Sequence, residues 1–154
     1  MDKPVRKAVR CYLIKDNKVV VTKYNKGNKK EGYYDIPGGK IENGELLKQT
    51  AIREVFEETG CTVKLKGILP IVSVKAPSGE THVLVRFIAE IVDENIKFDT
   101  DEILEVKWID INEIKNMSIN EIRGYDTTKK LINDFENNNV YSLDIISDLD
   151  FPNG

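Results

Sequence analysis

The sequence predicts an α/β protein in which a mixed β-sheet lies between helices. Several stretches between residues 5 and 109 are rich in apolar residues and are separated by short polar turns, which is typical of strands. Two stretches, 46–59 and 125–136, carry apolar residues at helical spacing. Strands flanked by two long helices give a three-layer α/β/α sandwich, and we expect one domain over residues 1–154.

The first two predicted strands form a hairpin. Residues 5–14 and 19–24 alternate apolar and polar side chains, as the strands of a half-buried sheet do. The polar sequence at 15–18 between them is typical of a tight turn. These two segments are therefore expected to pair with each other as antiparallel neighbours.

A second strand pair is predicted further along the chain. Residues 63–75 and 81–91 flank the sequence Pro-Ser-Gly at 77–79, and these residue types favour a turn. Residues 106–109 form a further strand that holds the single tryptophan. Together with the hairpin, these strands complete the predicted sheet.

The helices and the tail raise two further expectations. Asn43 is expected to cap the first helix, because its side chain can accept hydrogen bonds from the free N–H groups of the first turn. The tail at 137–154 carries apolar residues that could dock on the core or on a partner chain, which leaves a homodimer contact open. These residues are Val140, Tyr141, Leu143, Ile145 and Ile146.

The predicted helix at 46–59 presents three carboxylates on one face. Helical geometry, with 100° per residue, places Glu54, Glu57 and Glu58 within one arc. Like charges at i,i+3 and i,i+4 cost roughly 0.2–0.5 kcal/mol per pair, so a merely solvated face would alternate lysine with glutamate. Carboxylate oxygens suit a hard divalent ion such as Mg²⁺ or Mn²⁺, which keeps several waters and also binds substrate phosphates. The residues alone therefore predict an acidic metal site.

The segment 39–61 carries a longer pattern of fixed residues. They are Gly39, Glu45, Arg53, Glu54, Glu57, Glu58 and Gly60, with apolar Val55 and Cys61. This pattern resembles the Nudix box of the MutT-like Nudix hydrolases, and every fixed position is filled. Upstream, the sequence at 34–39 resembles the aromatic-x-x-Pro-Gly-Gly lead-in that is common in that family.

The resemblance implies an enzyme with a divalent metal. The family cleaves nucleoside diphosphates linked to another moiety on an α/β/α sandwich, so it implies Mg²⁺, with Mn²⁺ as an alternative, and a small nucleotide as the partner. By resemblance, Glu54 and Glu58 are the principal metal ligands, and Glu57 is a further ligand or the catalytic base. Arg53 lies four residues before Glu57 and is expected to orient it through a salt bridge.

Four other residues are candidates for the same site. Gly38 and Gly39 follow a proline and let the backbone turn sharply and approach a ligand, although an ordinary turn would explain them too. Tyr34 opens the same lead-in and is a candidate substrate contact. Family members often add a carboxylate from the region before the last strand; Glu105 is a candidate general base, with Glu102 as the alternative, and a structural acidic loop is the other interpretation.

The sequence predicts the type of reaction, but it leaves several classes of substrate open. The short chain favours a (d)NTP or oxidised-nucleotide pyrophosphohydrolase, with an ADP-ribose or nucleotide-sugar pyrophosphatase as the alternative. A different class, a non-catalytic nucleotide sensor, would be marked by loss of box glutamates, and all of them are present. A metal-binding structural domain without phosphate chemistry is a further alternative.

Composition and charge argue against nucleic-acid-binding, membrane and secreted classes of protein. The net charge of −3 argues against stable nucleic-acid binding. Lysines of a flexible loop at 23–32 are candidates to contact phosphate oxygens, and a solvated loop surface is the other interpretation. No apolar tract is long enough to span a membrane, and no signal-peptide core is present, so a cytoplasmic protein is expected. Cys11 and Cys61 lack metal-type spacing and are expected to be reduced core residues, and His82 is expected to be structural.

Overall fold

The computed structural model describes residues 3–25 and 32–151. The strands of this part are β1 (Arg6–Lys15), β2 (Lys18–Tyr24), β3 (Tyr34–Asp35), β4 (Gly38–Lys40), β5 (Thr62–Ile68), β6 (Val72–Lys75), β7 (Thr81–Asp93) and β8 (Ile103–Asp110). The helices are α1 (Leu47–Thr59), α2 (Ile111–Asn116) and α3 (Tyr125–Glu136), followed by a 3₁₀ turn at Leu143–Ile145. None of these helices is long and apolar enough to cross a bilayer.

The sheet is mixed, as predicted. β1 runs parallel to β7, with Arg6 opposite His82 at one end and Leu13 opposite Ala89 at the other. The other pairings are antiparallel: β2 and β4 pair with β1, β5 and β6 pair with β7, and β3 and β8 pair with β2. Strand β1 thus sits at the centre and borders both the hairpin and the short strand β4.

Alternating side chains of β1 divide the core between the two faces of the sheet. Cys11 points to the α1 face, where it packs in one apolar cluster with Val55. Tyr12 points to the opposite face and packs in a second cluster with Leu131 of α3. The expected three layers are therefore confirmed. Both cysteines are buried and unpaired, as expected, and Cys61 also lies in the α1 cluster.

The region at 63–75 differs from the prediction of one continuous strand. It forms two strands, β5 and β6, and both pair with β7. Pro70 lies in the gap between them, where its missing N–H cannot contribute to a ladder. Its carbonyl oxygen instead accepts hydrogen bonds from Arg86 Nε and Nη2, at 3.1 and 2.5 Å.

Helix α1 matches its predicted range, but its predicted cap is wrong. The helix begins at Leu47, so Asn43 lies too far upstream to cap it. Asp148 of the tail supplies the acceptor instead, because its Oδ2 lies 3.2 Å from the backbone nitrogen of Lys48 in the first turn. Residues distant in sequence thus satisfy the helix N-terminus. Helix α3 has the predicted bounds, whereas the short helix α2 was not predicted.

The tail docks on the chain's own core. Ile68 of β5 and Tyr141 exchange two backbone hydrogen bonds of 3.0 and 2.8 Å. Beyond this bridge, Leu143 and Ile146 pack against the α1 cluster. Residues 152–154 of the tail, and residues 26–31 of the basic loop expected at 23–32, lie outside the described residues.

A buried ion pair joins the sheet to α3, and its removal is expected to destabilise the fold. Arg86 Nη2 lies 2.7 Å from Asp134 Oδ2, and the two side chains are 1% and 3% exposed. The substitution Asp134→Asn leaves the buried guanidinium without its counter-charge, so the free energy of unfolding should fall by about 3–5 kcal/mol. Urea unfolding measures this loss. The matched control, Glu136→Gln, removes the exposed pair with Lys115 and should cost less than about 1 kcal/mol; equal losses would contradict the prediction.

Candidate functional site

Glu58, in the last turn of α1, is a buried carboxylate with a partner for each oxygen. Its Oε1 accepts a hydrogen bond of 3.0 Å from the Tyr24 hydroxyl, and its Oε2 accepts one of 3.2 Å from the Gly38 amide. Burial, followed by the nearby charge of Asp35, raises the pKa of Glu58 to about 8. The opposing charge of Arg10 and the two hydrogen bonds offset only part of this shift. Additional positive charge next to Glu58 would therefore be favourable.

Glu54 lies one turn earlier and faces the same glycine segment. A Cβ atom placed on Gly39 would lie 2.4 Å from Glu54 Cδ, so this carboxylate fills the space that the glycine leaves. Burial raises the pKa of Glu54, while the charge and hydrogen bond of Arg53 lower it. The two carboxylates at i and i+4 thus both lie against the segment that begins β4.

Arg53 holds several carboxylates in place. Its Nε and Nη2 lie 2.5 and 3.0 Å from the two oxygens of Glu45, and its Nη2 also donates to the Lys40 carbonyl at 3.3 Å. This fork lowers the pKa of Glu45 to about 2. Its Nη1 lies 2.9 Å from Glu57 and 3.0 Å from Glu54. The predicted contact between Arg53 and Glu57 is therefore present, and Glu57, with a side chain 57% exposed, lies toward solvent.

The three predicted ligands do not converge on one point. Within residues 3–25 and 32–151, no group of three or more histidine, cysteine, aspartate or glutamate side chains is placed to hold a metal ion. Glu54 and Glu58 face the glycine segment, whereas Glu57 pairs with Arg53. This pair still fits Mg²⁺, because that ion is usually held by one or two carboxylates together with waters and substrate phosphates. A cation beside the buried Glu58 and the partly buried Glu54 would also offset the cost of removing their charge from water.

Glu105 and Tyr34 form a separate cluster on the β2–β3–β8 part of the sheet. The Tyr34 hydroxyl donates to Glu105 Oε2 at 3.2 Å, and Lys107 Nζ lies 3.6 Å from Glu105 Oε1. The ammonium groups of Lys23 and Lys107 lie 5.0 and 4.7 Å from the centre of the Tyr34 ring. The alternative candidate, Glu102, lies exposed in the turn before β8. No contact with Glu54 or Glu58 appears for Glu105 in the described part of the chain.

Sequence reasoning missed a cavity of about 240 Å³ on the α3 face of the sheet. Arg10, Asp35 and Arg123 contribute to its lining, and Asp35 is only 3% exposed. Its carboxylate lies 3.8 Å from Arg10 and 3.5 Å from Arg123. Asp35 belongs to the lead-in at 34–39, and this was the one feature of the sequence that could have pointed to the cavity. His82, expected to be structural, also lines the cavity.

Comparison with known proteins decides the family. A model of the NUDIX domain matches residues 4–134, which is well over half of the chain. The chain belongs to the Nudix family. The box at 39–61 is therefore a Nudix box, and α1 is the Nudix helix that carries its glutamates.

Relatives and solved structures agree with this assignment. This Nudix chain is 34% identical over 95 residues to a Methanocaldococcus jannaschii protein named ADP-ribose pyrophosphatase, covering 61% of the chain and 56% of that protein. It is 27% identical over 104 residues to a Bacillus subtilis protein provisionally named 8-oxo-dGTP diphosphatase, covering 68% and 64%. A NUDIX hydrolase structure from Nitrosomonas europaea superposes with a TM-score of 0.82 at 25% identity, covering 95% and 98%. The chain spans less than two thirds of the length of both curated relatives.

Substitutions at the two neighbouring glycines of the Nudix lead-in are expected to have different effects. The three atoms nearest to a Cβ on Gly39 all belong to the end of the flexible Glu54 side chain, so Gly39→Ala should fold but displace that carboxylate and weaken Mn²⁺ binding roughly 10- to 100-fold. A Cβ on Gly38 would lie 2.2 Å from the Val9 carbonyl oxygen, so Gly38→Ala should destabilise the fold itself.

Calorimetric Mn²⁺ titration and thermal unfolding of each variant separate these two effects. Glu113→Gln is the control, because Glu113 is an exposed residue of α2 and does not belong to the box. Unchanged Mn²⁺ affinity in a folded Gly39→Ala protein would contradict the placement of Glu54 at the metal.

The buried carboxylate of Glu58 predicts a pH-dependent stability in metal-free buffer. Its pKa is about 8 in the folded protein against an ordinary value of 4.5, so between these values the folded state binds more protons than the unfolded state. The free energy of unfolding should therefore fall as the pH rises through this window, by at most about 1.4 kcal/mol per pH unit. Glu58→Gln should remove this slope in urea unfolding with EDTA. The exposed control Glu113→Gln should keep it, and parallel profiles for parent and Glu58→Gln would refute the prediction.

Proposed function

We propose that this Nudix domain hydrolyses a phosphoanhydride bond of a nucleoside diphosphate linked to another moiety, with Mg²⁺ as cofactor and Mn²⁺ as an alternative. One observation carries the proposal. Glu54 and Glu58 lie one turn apart against the Gly38–Gly39 segment that the Nudix lead-in supplies, with Glu58 buried and Glu54 partly buried. Carboxylates removed from water in this way suit a bound cation better than they suit a solvated surface.

Hydrolysis of a phosphoanhydride faces three difficulties. Negative oxygens shield the phosphorus, the bridging oxygen must leave with added charge, and water is a poor nucleophile at neutral pH. A divalent ion bound at Glu54 and Glu58 would neutralise phosphate oxygens, stabilise the leaving group and lower the pKa of a bound water. The chain's own residues must then orient the substrate and remove a proton.

Glu57 is the carboxylate that we assign to proton removal. Its side chain is 57% exposed, so it can meet a water molecule that enters from solvent. Arg53 fixes its position through the 2.9 Å contact with its Oε2 and is therefore a positioning residue. Glu105 remains the alternative general base that the sequence predicts.

Tyr34 and the two glycines are the proposed substrate contacts. The Tyr34 ring lies between Lys23 and Lys107, which offers an aromatic surface and two cations to a nucleotide. Gly38 and Gly39 let this segment pack directly against strand β1 and the Glu54 carboxylate, so a diphosphate held beside the carboxylates would lie next to it. We propose a small nucleotide as the partner and no stable binding to nucleic acid.

We propose a (d)NTP or an oxidised nucleotide as the leading substrate. The provisional 8-oxo-dGTP diphosphatase name of the Bacillus subtilis relative supports this choice. A second candidate, ADP-ribose or a nucleotide sugar, is favoured by the 34% identity to the Methanocaldococcus jannaschii ADP-ribose pyrophosphatase. A nucleotide sensor without catalysis is the alternative from another class.

A substrate panel with glutamate variants tests the proposal. Oxidised dGTP, the common (d)NTPs, ADP-ribose, NADH and dinucleoside polyphosphates are incubated with Mg²⁺ or Mn²⁺, and the products, including nucleoside monophosphates, phosphate and pyrophosphate, are identified by chromatography. Glu57→Gln should lower kcat roughly 10²- to 10⁴-fold, as expected for loss of a general base, and Glu58→Gln should raise the Mg²⁺ requirement as well. The exposed control Glu113→Gln should retain full activity.

Two results would contradict the proposal in different ways. A Glu58→Gln protein as active as the parent would remove Glu58 from the mechanism. A parent protein that binds a nucleotide with Mg²⁺ but turns over no member of the panel would favour the sensor.

A further inference from the structure

The cavity on the α3 face of the sheet has a strongly basic lining, and we call it the arginine cavity. It has a volume of about 240 Å³, and its charged lining residues are Arg10 of β1, Arg86 of β7, Arg123 before α3 and Asp35 at the end of β3. It lies on the face opposite to α1, because Arg86 pairs with Asp134 of α3. The carboxylates of the Nudix helix do not line it.

Hydrogen-bond donors exceed acceptors in this cavity. Asp35 is the carboxylate of its lining, and its Oδ1 already accepts a 2.9 Å hydrogen bond from the Ile36 amide. Its Oδ2 is shared by Arg123 Nη1 at 3.5 Å and Arg10 Nη2 at 3.8 Å. Both distances are longer than those of a strong charge-assisted hydrogen bond. The two guanidinium groups therefore have donor capacity that Asp35 does not use.

Arg86 adds a donor that is buried and unsatisfied. Its side chain is 1% exposed, and its Nε and Nη2 are used by the Pro70 carbonyl and by Asp134. Its Nη1 is buried and has no hydrogen-bond partner within residues 3–25 and 32–151. A buried donor without a partner is unfavourable, so Arg86 contributes an incompletely compensated guanidinium to the lining of the cavity.

We propose that the arginine cavity binds an oxyanion of the substrate, a phosphate or a carboxylate that lies outside the diphosphate being cleaved. Three guanidinium groups converge on an acceptor-poor space that is large enough for such a group, and arginine forks bind phosphate and carboxylate oxygens in pairs. The inference rests on the proposed function and narrows its substrate class. The preferred substrates are nucleotides that carry a further acidic group.

The segment between β3 and β4 explains how one substrate reaches both places. Asp35 lines the cavity, and Gly38, three residues later, donates to Glu58 on the other face. Three residues of chain span at most about 11 Å, so a nucleotide whose diphosphate lies at the glycines would have a further acidic group within reach of the arginine cavity. The adjoining groove, of about 450 Å³, shares Arg123 and Gly124 with the cavity and leads outward past Tyr125.

The first test measures binding of inorganic phosphate in EDTA, where the carboxylates of the Nudix helix have no metal to bridge an anion. Calorimetry should show that Arg123→Gln and Arg10→Gln each weaken phosphate binding roughly tenfold or more. Arg6→Gln is the matched control, because Arg6 lies on the same strand, is 49% exposed and pairs with Glu80 outside the cavity lining. It should change the affinity less than about twofold.

Two binding results would overturn the assignment. One is a parent protein that binds no phosphate in EDTA, and the other is an equal loss of affinity in Arg6→Gln and Arg123→Gln. Thermal unfolding of each variant verifies that it is folded; Arg123 is suited to this test because its side chain is 40% exposed. If Arg10→Gln fails to fold, the comparison of Arg123→Gln with Arg6→Gln decides alone.

The second test uses pairs of substrates that differ by one acidic group. ADP-ribose is compared with ADP-ribose 2′-phosphate, and NADH is compared with NADPH. In the parent protein, kcat/KM should be higher for the phosphorylated member, and Arg123→Gln should reduce this preference roughly tenfold through KM. If Arg123→Gln changes kcat/KM equally for both members of each pair, the proposal that the cavity binds a group outside the cleaved diphosphate is overturned. A change in base preference without a change in phosphate binding would assign the cavity to the nucleobase instead.

The outcomes separate this inference from the proposed function. Glu58→Gln should lose hydrolysis but keep phosphate binding in EDTA, because Glu58 does not line the cavity. Arginine-dependent phosphate binding in a protein that hydrolyses nothing would refute the proposed function alone. Hydrolysis of the panel together with phosphate binding that ignores Arg10 and Arg123 would refute the cavity assignment alone.

Discussion

The buried carboxylate of Glu58 fixes the position of the Nudix helix relative to the glycine segment. Its oxygens take one hydrogen bond from the backbone of Gly38 and one from the hydroxyl of Tyr24, so helix, β4 and β2 meet at a single side chain. Two neutral donors do not fully replace the water that a carboxylate loses on burial, and the pKa of about 8 reflects that deficit. The fold thus retains an unfavourable group at the point where positive charge would stabilise it.

Arg53 helps to give the four box glutamates different environments. It pairs in a fork with Glu45, whose pKa falls to about 2, and this fixes the loop before α1 to the helix. The same guanidinium contacts Glu54 and Glu57 through Nη1, which leaves Glu57 exposed while Glu54 stays against Gly39. Glu58 makes no salt bridge within the part of the chain that the structure describes. Carboxylates that share one helix face therefore differ in environment: Glu58 is buried, Glu54 is partly buried and Glu57 faces solvent.

The sequence predicts those parts of the fold that depend on local pattern. Helices α1 and α3 and the β1–β2 hairpin appear with nearly the predicted bounds, because periodicity and turn residues are local properties. The break between β5 and β6 was missed although Pro70 marks it, because both segments pair with one long strand, β7. The cap of α1 was assigned wrongly, because the acceptor is Asp148, a hundred residues away in sequence.

The candidate site also contains some contacts that local sequence pattern predicts and others that depend on residues distant in sequence. The contact of Arg53 with Glu57 follows from helical spacing, and the structure contains it. The arginine cavity could not be read from spacing, because Arg10 and Arg86 become neighbours only through the parallel register of β1 and β7, where they lie opposite each other. Asp35 and Arg123 then join them from two further elements. Pairing register between distant strands is set by the whole core and leaves no local trace in the sequence.

Placing the carboxylates and the cavity on opposite faces of the sheet has a consequence for specificity. The Nudix helix packs on one face, while side chains at alternating positions of β1 and β7 line the arginine cavity on the other. If the proposed assignment holds, substitution at Arg123 would change the group that the cavity accepts and leave Glu54 and Glu58 in place. Substitution at Arg10 would also remove a positive charge that lowers the pKa of Glu58, so its effect would extend to the carboxylates. In the arrangement that we propose, the box would therefore determine the bond that is cleaved, and residues on the α3 face would determine which molecule contains it.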